Sequence, residues 1–171
     1  MMIIAETERL QLSLFTLNDA SFFQELTNTP NWIKYIGDRN LKTIKDAEGY
    51  LINGTLKSYS DFGFGFYKIE LKSENFKSIG TCGLIKRPQL DDVDIGFAFL
   101  PKYEGFGYGY ESSLAVMELA KNTFNLEKLL AITLPINVNS IKLIEKLGFE
   151  LEKRVNVFGD DKEVLLFTKT L

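Results

Sequence analysis

Residues 2–15 alternate apolar and polar side chains around Arg9, Leu10, Gln11, Leu12, Ser13 and Leu14, the period of a β-strand with one buried face. Thr16 and Asp19 form a Thr-x-x-Asp capping box that opens a helix through Leu26. A second box, Thr43 with Asp46, opens another helix carrying Ala47, Tyr50, Leu51, Gly54 and Leu56 at helical spacing. Between the two lie residues 32–39, rich in aromatic and charged side chains. Strand-like runs at residues 62–72, 76–86 and 93–100, parted by turns at 73–75 and 88–92, read as an antiparallel meander. After Pro101 the pattern turns to glycine and aromatics, then to a long helix through Leu114, Met117, Leu119 and Ala120 that ends near Asn125. Residues 128–134 are a continuous apolar run bounded by Pro135, as in a strand buried on both faces. Residues 139–147 form a helix with Gly148 as its stop signal, and residues 149–158 and 163–171 make a hairpin across a turn at 159–162. A meander followed by a strand-helix-strand crossover predicts an α/β fold: a central mixed sheet flanked by helices.

The chain has 171 residues, 45% of them hydrophobic, and neither a repeat nor a linker-like shift in composition, so one domain over residues 1–171 is expected. It contains no histidine, which removes imidazole bases, Ser-His and Cys-His dyads and His-ligated zinc. Acid-base chemistry is left to carboxylate, hydroxyl, lysine, backbone or water, and no metal site is expected. The single cysteine, Cys82, lies in the apolar run ITCGLI with no histidine to activate it, and reads as a core residue rather than a nucleophile. The chain opens without a basic-then-apolar leader and has no apolar run near the roughly 20 residues that cross a bilayer, so a cytoplasmic protein without a membrane partner is expected. A net charge of −3 disfavours nucleic acid as a partner, because phosphate-backbone binding needs clustered Lys and Arg. The sequence leaves a homodimer open.

The segment FLPKYEGFGYGYES, residues 99–112, puts Gly105, Gly107 and Gly109 where a strand hands over to a helix. The first turn of a helix has free backbone N–H groups and a partial positive charge, and glycines let a bulky anion approach them. The expected occupant is a phosphate or diphosphate. The G-x-G-x-G spacing matches neither the dinucleotide G-x-G-x-x-G nor the P-loop pattern. A tight connection whose glycines merely permit positive φ is the competing reading.

These residues resemble a family. Residues 104–109 are similar to the R/Q-x-x-G-x-G/A loop of the GNAT N-acetyltransferases, and residues 100–112 to the L-P-x-Y-W-G-x-G-Y-A-T-E-A form of their ribosomal-protein N-terminal (RimJ/RimL-like) branch. Residues 134–149, LPINVNSIKLIEKLGF, independently resemble that branch's P-x-N-x-x-S-x-x-x-L-E-K-L-G-F. Residues 32–39, WIKYIGDR, and 92–100, DVDIGFAFL, look like its substrate-side loop and fourth strand. The resemblance implies a GNAT-like fold that binds acetyl-CoA where two strands splay apart, with the diphosphate on the N–H groups of Gly105, Phe106, Gly107, Tyr108, Gly109 and Tyr110. Asn137 is implied to contact the pantetheine or cysteamine part, a role compatible with capping the following helix. Glu104 and Phe106 stand where relatives often carry Gln, Arg, Trp or Lys, which removes cationic help for the phosphates. Ile144 occupies the position of a tyrosine acid in some members, so that mechanism is closed to this chain.

Acetyl transfer from a thioester to an amine needs a neutral nucleophile, a stabilised oxyanion and a proton for the departing thiolate. An α-amine, pKa about 8, demands less of a base than a lysine amine at about 10.4. The base candidates are Asp94 and then Glu104; the competing reading of Asp94 is a solvated strand residue beside Asp91 and Asp92. Ser140 is the acid candidate by resemblance, and a first-turn capping serine otherwise. A backbone N–H near Phe99 or Leu100 suits the oxyanion. Trp32, Tyr35 and Arg39 are candidates for the acceptor pocket, or, for the aromatics, core. The leading expectation is an acetyl-CoA-dependent N-acetyltransferase acting on a peptide or protein α-amine or a small amine by direct attack in a ternary complex. The alternatives are a non-catalytic acyl-CoA sensor and, on the branch name alone, an RNA-binding partner of the ribosome.

Overall fold

The protein is described here from a computed structural model covering residues 2–159 and 162–171. Among the described residues, eight strands form one sheet in the order β1-β2-β3-β4-β5-β6-β8-β7. They are β1 Ile3–Glu6, β2 Leu10–Leu14, β3 Phe66–Leu71, β4 Lys77–Ile85, β5 Asp94–Phe99, β6 Lys128–Thr133, β7 Glu150–Val155 and β8 Val164–Thr170. The helices are α1 Ala20–Thr27, α2 Pro30–Tyr35, α3 Ile44–Leu51, α4 Lys57–Phe62, α5 Tyr108–Asn122 and α6 Val138–Lys146.

The expected first strand is in fact a hairpin. Thr7 N donates to Leu10 O at 2.9 Å and Leu10 N to Thr7 Oγ1 at 3.0 Å, so the chain reverses over Thr7–Leu10. No glycine or proline marks the turn: it falls in the polar run at residues 6–9, and the alternation expected of a single strand holds only from Arg9 onward. The Thr16/Asp19 capping box forms, but it opens a short 3-10 turn, Leu17–Asp19, that leads into α1. The Thr43/Asp46 box opens α3, which runs through a π-helical turn, Ile52–Leu56, into α4. Within residues 32–39 lies most of α2, capped by Thr29. The turn expected at 159–162 lies partly outside the described residues.

Leu10, Leu12, Ile69, Ile79, Leu84, Val116 and Leu129 are fully buried where α5 packs on the sheet. Each such aliphatic side chain contributes about 1.5–3 kcal/mol. Ser112 and Ser113 are also fully buried, and their small side chains bring α5 close to β4: Ser113 Oγ lies 3.6 Å from Cys82 Sγ. Cys82 is a buried core thiol, and burial pushes it up to about 11. Phe15, Ala20, Phe23, Ala47 and Leu51 form a second cluster under α1 and α3. The alternate residues of β2 and β3 form a buried polar cluster: Lys68 Nζ lies 2.7 Å from Asp19 and 3.2 Å from Glu70, which also accepts from Ser13 at 2.7 Å and Gln11 at 3.1 Å. Charges this deep persist because each is paired.

The site is positioned by one irregularity. The β4/β5 ladder runs antiparallel from Gly80↔Phe99 to Ile85↔Asp94, and the β6/β8 ladder from Lys128↔Thr170 to Thr133↔Leu165. Parallel β5 and β6 are joined only at Asp94↔Leu130 among the described residues, with Leu130 N donating to Val93 O at 2.9 Å. Beyond that bridge they part, leaving a V closed at Asp94 and open where β5 runs into the glycine segment.

Candidate active site

After β5 the chain makes a 3-10 turn, Pro101–Tyr103, pinned by buried Tyr103, whose hydroxyl donates to Glu74 Oε2 at 2.7 Å. Gly105 and Gly107 follow at φ +81° and +84°, a left-handed conformation costly for any residue with a Cβ. Gly107 is the N-cap of α5 and offers no side-chain cap. Backbone pairing stops at Glu104 N, which donates to Pro101 O, and resumes at Glu111 N, which donates to Gly107 O at 3.0 Å. Among the described residues, no acceptor meets the amides from Gly105 to Tyr110. They form a ready anion site at a helix N-terminus. At Gly109 a Cβ would lie 3.0 Å from Leu143 Cδ2 and 3.6 Å from Phe99 Cε2, so this glycine lets α5 and α6 converge at the mouth of the V.

The Phe106 side chain is exposed and its ring stacks on Tyr108, with centroids 5.9 Å apart. A cation nevertheless stands here. Arg9, from the β1–β2 turn, lies 4.6 Å over the Tyr108 ring, donates Nη1 to Phe106 O at 2.9 Å and pairs Nε with Glu111 at 2.6 Å. Local sequence holds no sign of this contact, which spans 102 positions between Arg9 and Glu111. Tyr110, the last of the glycine-segment aromatics, lies under Lys146 Nζ at 4.4 Å.

Amides alternate sides along a strand. Leu100 N donates to Ile79 O at 2.9 Å, so it is spent within the sheet and unavailable to an oxyanion, a correction to half of the expected Phe99/Leu100 pair. The same alternation turns the Phe99 amide, and that of Phe97, which the sequence reading missed, into the V.

Asp94, at the closed end, is 1% exposed, which excludes the solvated reading. Its Oδ1 accepts from Arg87 Nε at 2.9 Å. Burial pushes this carboxyl up and the Arg87 charge and hydrogen bond pull it back, leaving it at about 6. A carboxylate held there is ionised near neutrality yet basic enough to take a proton. Glu104, by contrast, is exposed, and both its oxygens lie 3.0 Å from Asn31 Nδ2, which ties the glycine segment to α2.

Of the expected acceptor-side residues, Trp32 is buried against Phe23 in an edge-on contact, with its Nε1 unpaired among the described residues. Tyr35 is half-buried under Lys34, and Arg39 borders an open hollow of about 570 Å³ with Leu41, Asp46 and Tyr50. Among the described residues, no hydrogen bond, ion pair or ring contact joins these three to one another, although Phe23 bridges Trp32 to Tyr50 at the edge of the hollow. On the other wall of the V, Asn137 Oδ1 accepts from Ser140 N at 3.2 Å and so caps α6; Ser140 itself is half-buried. Ile144 is fully buried in the core.

Residues 9–150 match the model of the acetyltransferase (GNAT) domain. The chain belongs to the GNAT acetyltransferase family. It is 27% identical over 146 residues to the uncharacterised N-acetyltransferase YnaD of Bacillus subtilis, covering 85% of this chain and 82% of that one. The fold matches the acetyltransferase of Agrobacterium tumefaciens with a TM-score of 0.83 at 23% identity, over 100% of this chain and 95% of that one. It also matches RimL, a ribosomal L7/L12 alpha-N-protein acetyltransferase in complex with coenzyme A, with a TM-score of 0.83 at 14% identity over 99% and 98% of the two chains. This GNAT chain is therefore an acetyltransferase, and among the described residues no helix is long and apolar enough to cross a membrane.

Proposed function

We propose that the protein transfers the acetyl group of acetyl-CoA to a primary amine, either a peptide or protein α-amine or a small amine, by direct attack in a ternary complex. The observation that carries this reading is the unspent run of amides from Gly105 to Tyr110 at the mouth of a V whose closed end holds a buried carboxylate at about 6. Those amides would hold the diphosphate, and the parted edges of β5 and β6 would flank the pantetheine arm. Acetyl-CoA supplies an activated thioester. The amides of Phe97 and Phe99 face the gap and would stabilise negative charge developing on the thioester oxygen.

Asp94 would accept the amine proton, directly or through water, and Arg87 keeps its carboxylate ionised. Ser140, at the start of α6, would hold a proton for the thiolate. Asn137 orients that first turn through Ser140 N. Glu104 is committed to Asn31 and serves the loop rather than the proton transfer. A single, buried cysteine fits a cytoplasmic setting. The test is mass spectrometry of products from a mixed pool of peptides, polyamines and aminoglycosides incubated with acetyl-CoA. An acetylated amine whose formation needs Asp94 is expected; desulfo-CoA without measurable affinity would overturn the reading.

A further inference from the structure

Glu111 poses a problem for the anion site. It lies in the first turn of α5, next to the amides that would receive a diphosphate. A carboxylate there complements the helix dipole but repels an anionic ligand at the same terminus. The fold answers with a clamp. Glu111 Oε1 accepts from the Thr7 hydroxyl at 2.5 Å and from Arg9 N at 2.9 Å, and Oε2 accepts from Arg9 Nε at 2.6 Å. Partial burial pushes this carboxyl up, but those hydrogen bonds and the guanidinium charge together hold it below the usual glutamate range. The carboxylate is thus ionised, turned toward the β1–β2 turn and neutralised there.

The same guanidinium reaches the glycine segment itself. Its Nη1 donates to Phe106 O at 2.9 Å, and its plane lies over the Tyr108 ring. Phe106 is flanked by two left-handed glycines, so its peptide has few steric restraints on how it turns. In a trans peptide the C=O and the following N–H point opposite ways. Holding Phe106 O against Arg9 therefore aims the Gly107 N–H away from Arg9.

We infer that Arg9 is a positioning residue for the donor: it cancels the Glu111 charge and sets the peptide between Phe106 and Gly107, so that the amides of the glycine segment converge on a diphosphate. This rests on the function proposed above. The competing role is a tie between the first hairpin and α5 with no bearing on ligand.

The experiment pairs two donors, acetyl-CoA and S-acetyl-N-acetylcysteamine, which ends short of the diphosphate, with calorimetry on desulfo-CoA. Arg9→Met should weaken desulfo-CoA binding about ten-fold and lower the ratio of kcat/KM for acetyl-CoA over the truncated thioester by a similar factor. Arg9→Lys keeps the charge without the fork and should fall between wild type and Arg9→Met. Arg9→Met combined with Glu111→Gln should regain the electrostatic part of the loss only. If Arg9→Met does not fold, the donor ratio in Arg9→Lys and Glu111→Gln decides. A ratio that stays at the wild-type value in the folded variants overturns the inference and leaves the proposed function standing. Failure of the wild type itself to bind desulfo-CoA overturns both.

Discussion

Two strand-to-helix junctions lie side by side in the sheet, β5 into α5 and β6 into α6, and they treat the first turns of their helices in opposite ways. At α6 Asn137 supplies an oxygen to Ser140 N, the ordinary means of satisfying an orphan amide. At α5 the cap is Gly107, with no side chain to give, and the preceding residues add further amides without acceptors. A helix start that closes its own hydrogen bonds contributes stability. One that leaves them open forgoes part of that stability and keeps electrostatic capacity for a ligand. The strands differ in parallel: β5 brings a buried carboxylate to the closed end of the V, while β6 supplies its bridging partner, Leu130.

This contrast predicts that changes along β5–α5 cost activity and changes along β6–α6 cost progressively less. Asp94→Asn should lower kcat/KM about a hundred-fold or more. The wild-type rate should fall as pH drops through about 6, where Asp94 takes up a proton, and that acid limb should vanish in the variant. A limb that survives in Asp94→Asn would assign the base elsewhere. The same group also bears on stability. Its folded pKa is raised from 3.8 to about 6, so the folded state holds the proton more tightly, and this contribution is present below 3.8 and lost as pH rises through about 6. Thermal melts between those values should show the slope flatten in Asp94→Asn.

Gly107→Val is next. A β-branched residue forced to φ +84° would rearrange the segment and weaken desulfo-CoA binding, by calorimetry, on the order of a hundred-fold. Ser140→Ala should reduce kcat about ten-fold with the KM for acetyl-CoA little changed, read from steady-state kinetics. Asn137→Ala removes a helix cap, about 1 kcal/mol, and should lower Tm by about 2–4 °C with the smallest effect on rate of the four. A larger kinetic loss in Asn137→Ala than in Gly107→Val would reverse the contrast between the junctions.

Elements with their own punctuation were legible in the chain. The Thr43/Asp46 box, the meander over β3–β5, the Pro135 and Gly148 boundaries and the glycine segment all carry local signals that the fold obeys. The first hairpin was illegible because its first arm, Ile3–Glu6, is too short to stand apart from the alternating strand that follows, and the turn between them uses neither glycine nor proline. Asp94 was legible as a carboxylate on a strand but not as a buried one. Its burial depends on Arg87 and on β6 packing beside it, and neither is visible in the sequence spacing. Trp32, read as core or pocket, is buried against Phe23, a partner on a different helix.

Sequence alone determined that the chemistry proceeds without imidazole, that a glycine-rich strand-to-helix junction exists, and that the chain resembles the GNAT family. These are properties of residue type and of spacing over one or two turns. Tertiary structure decided where β5 and β6 part, which amides remain unspent, and that the cation beside the glycine segment is Arg9, held by a carboxylate 102 positions away. Such features arise only when segments distant in the chain are brought within hydrogen-bonding reach, and local propensity carries no record of that pairing.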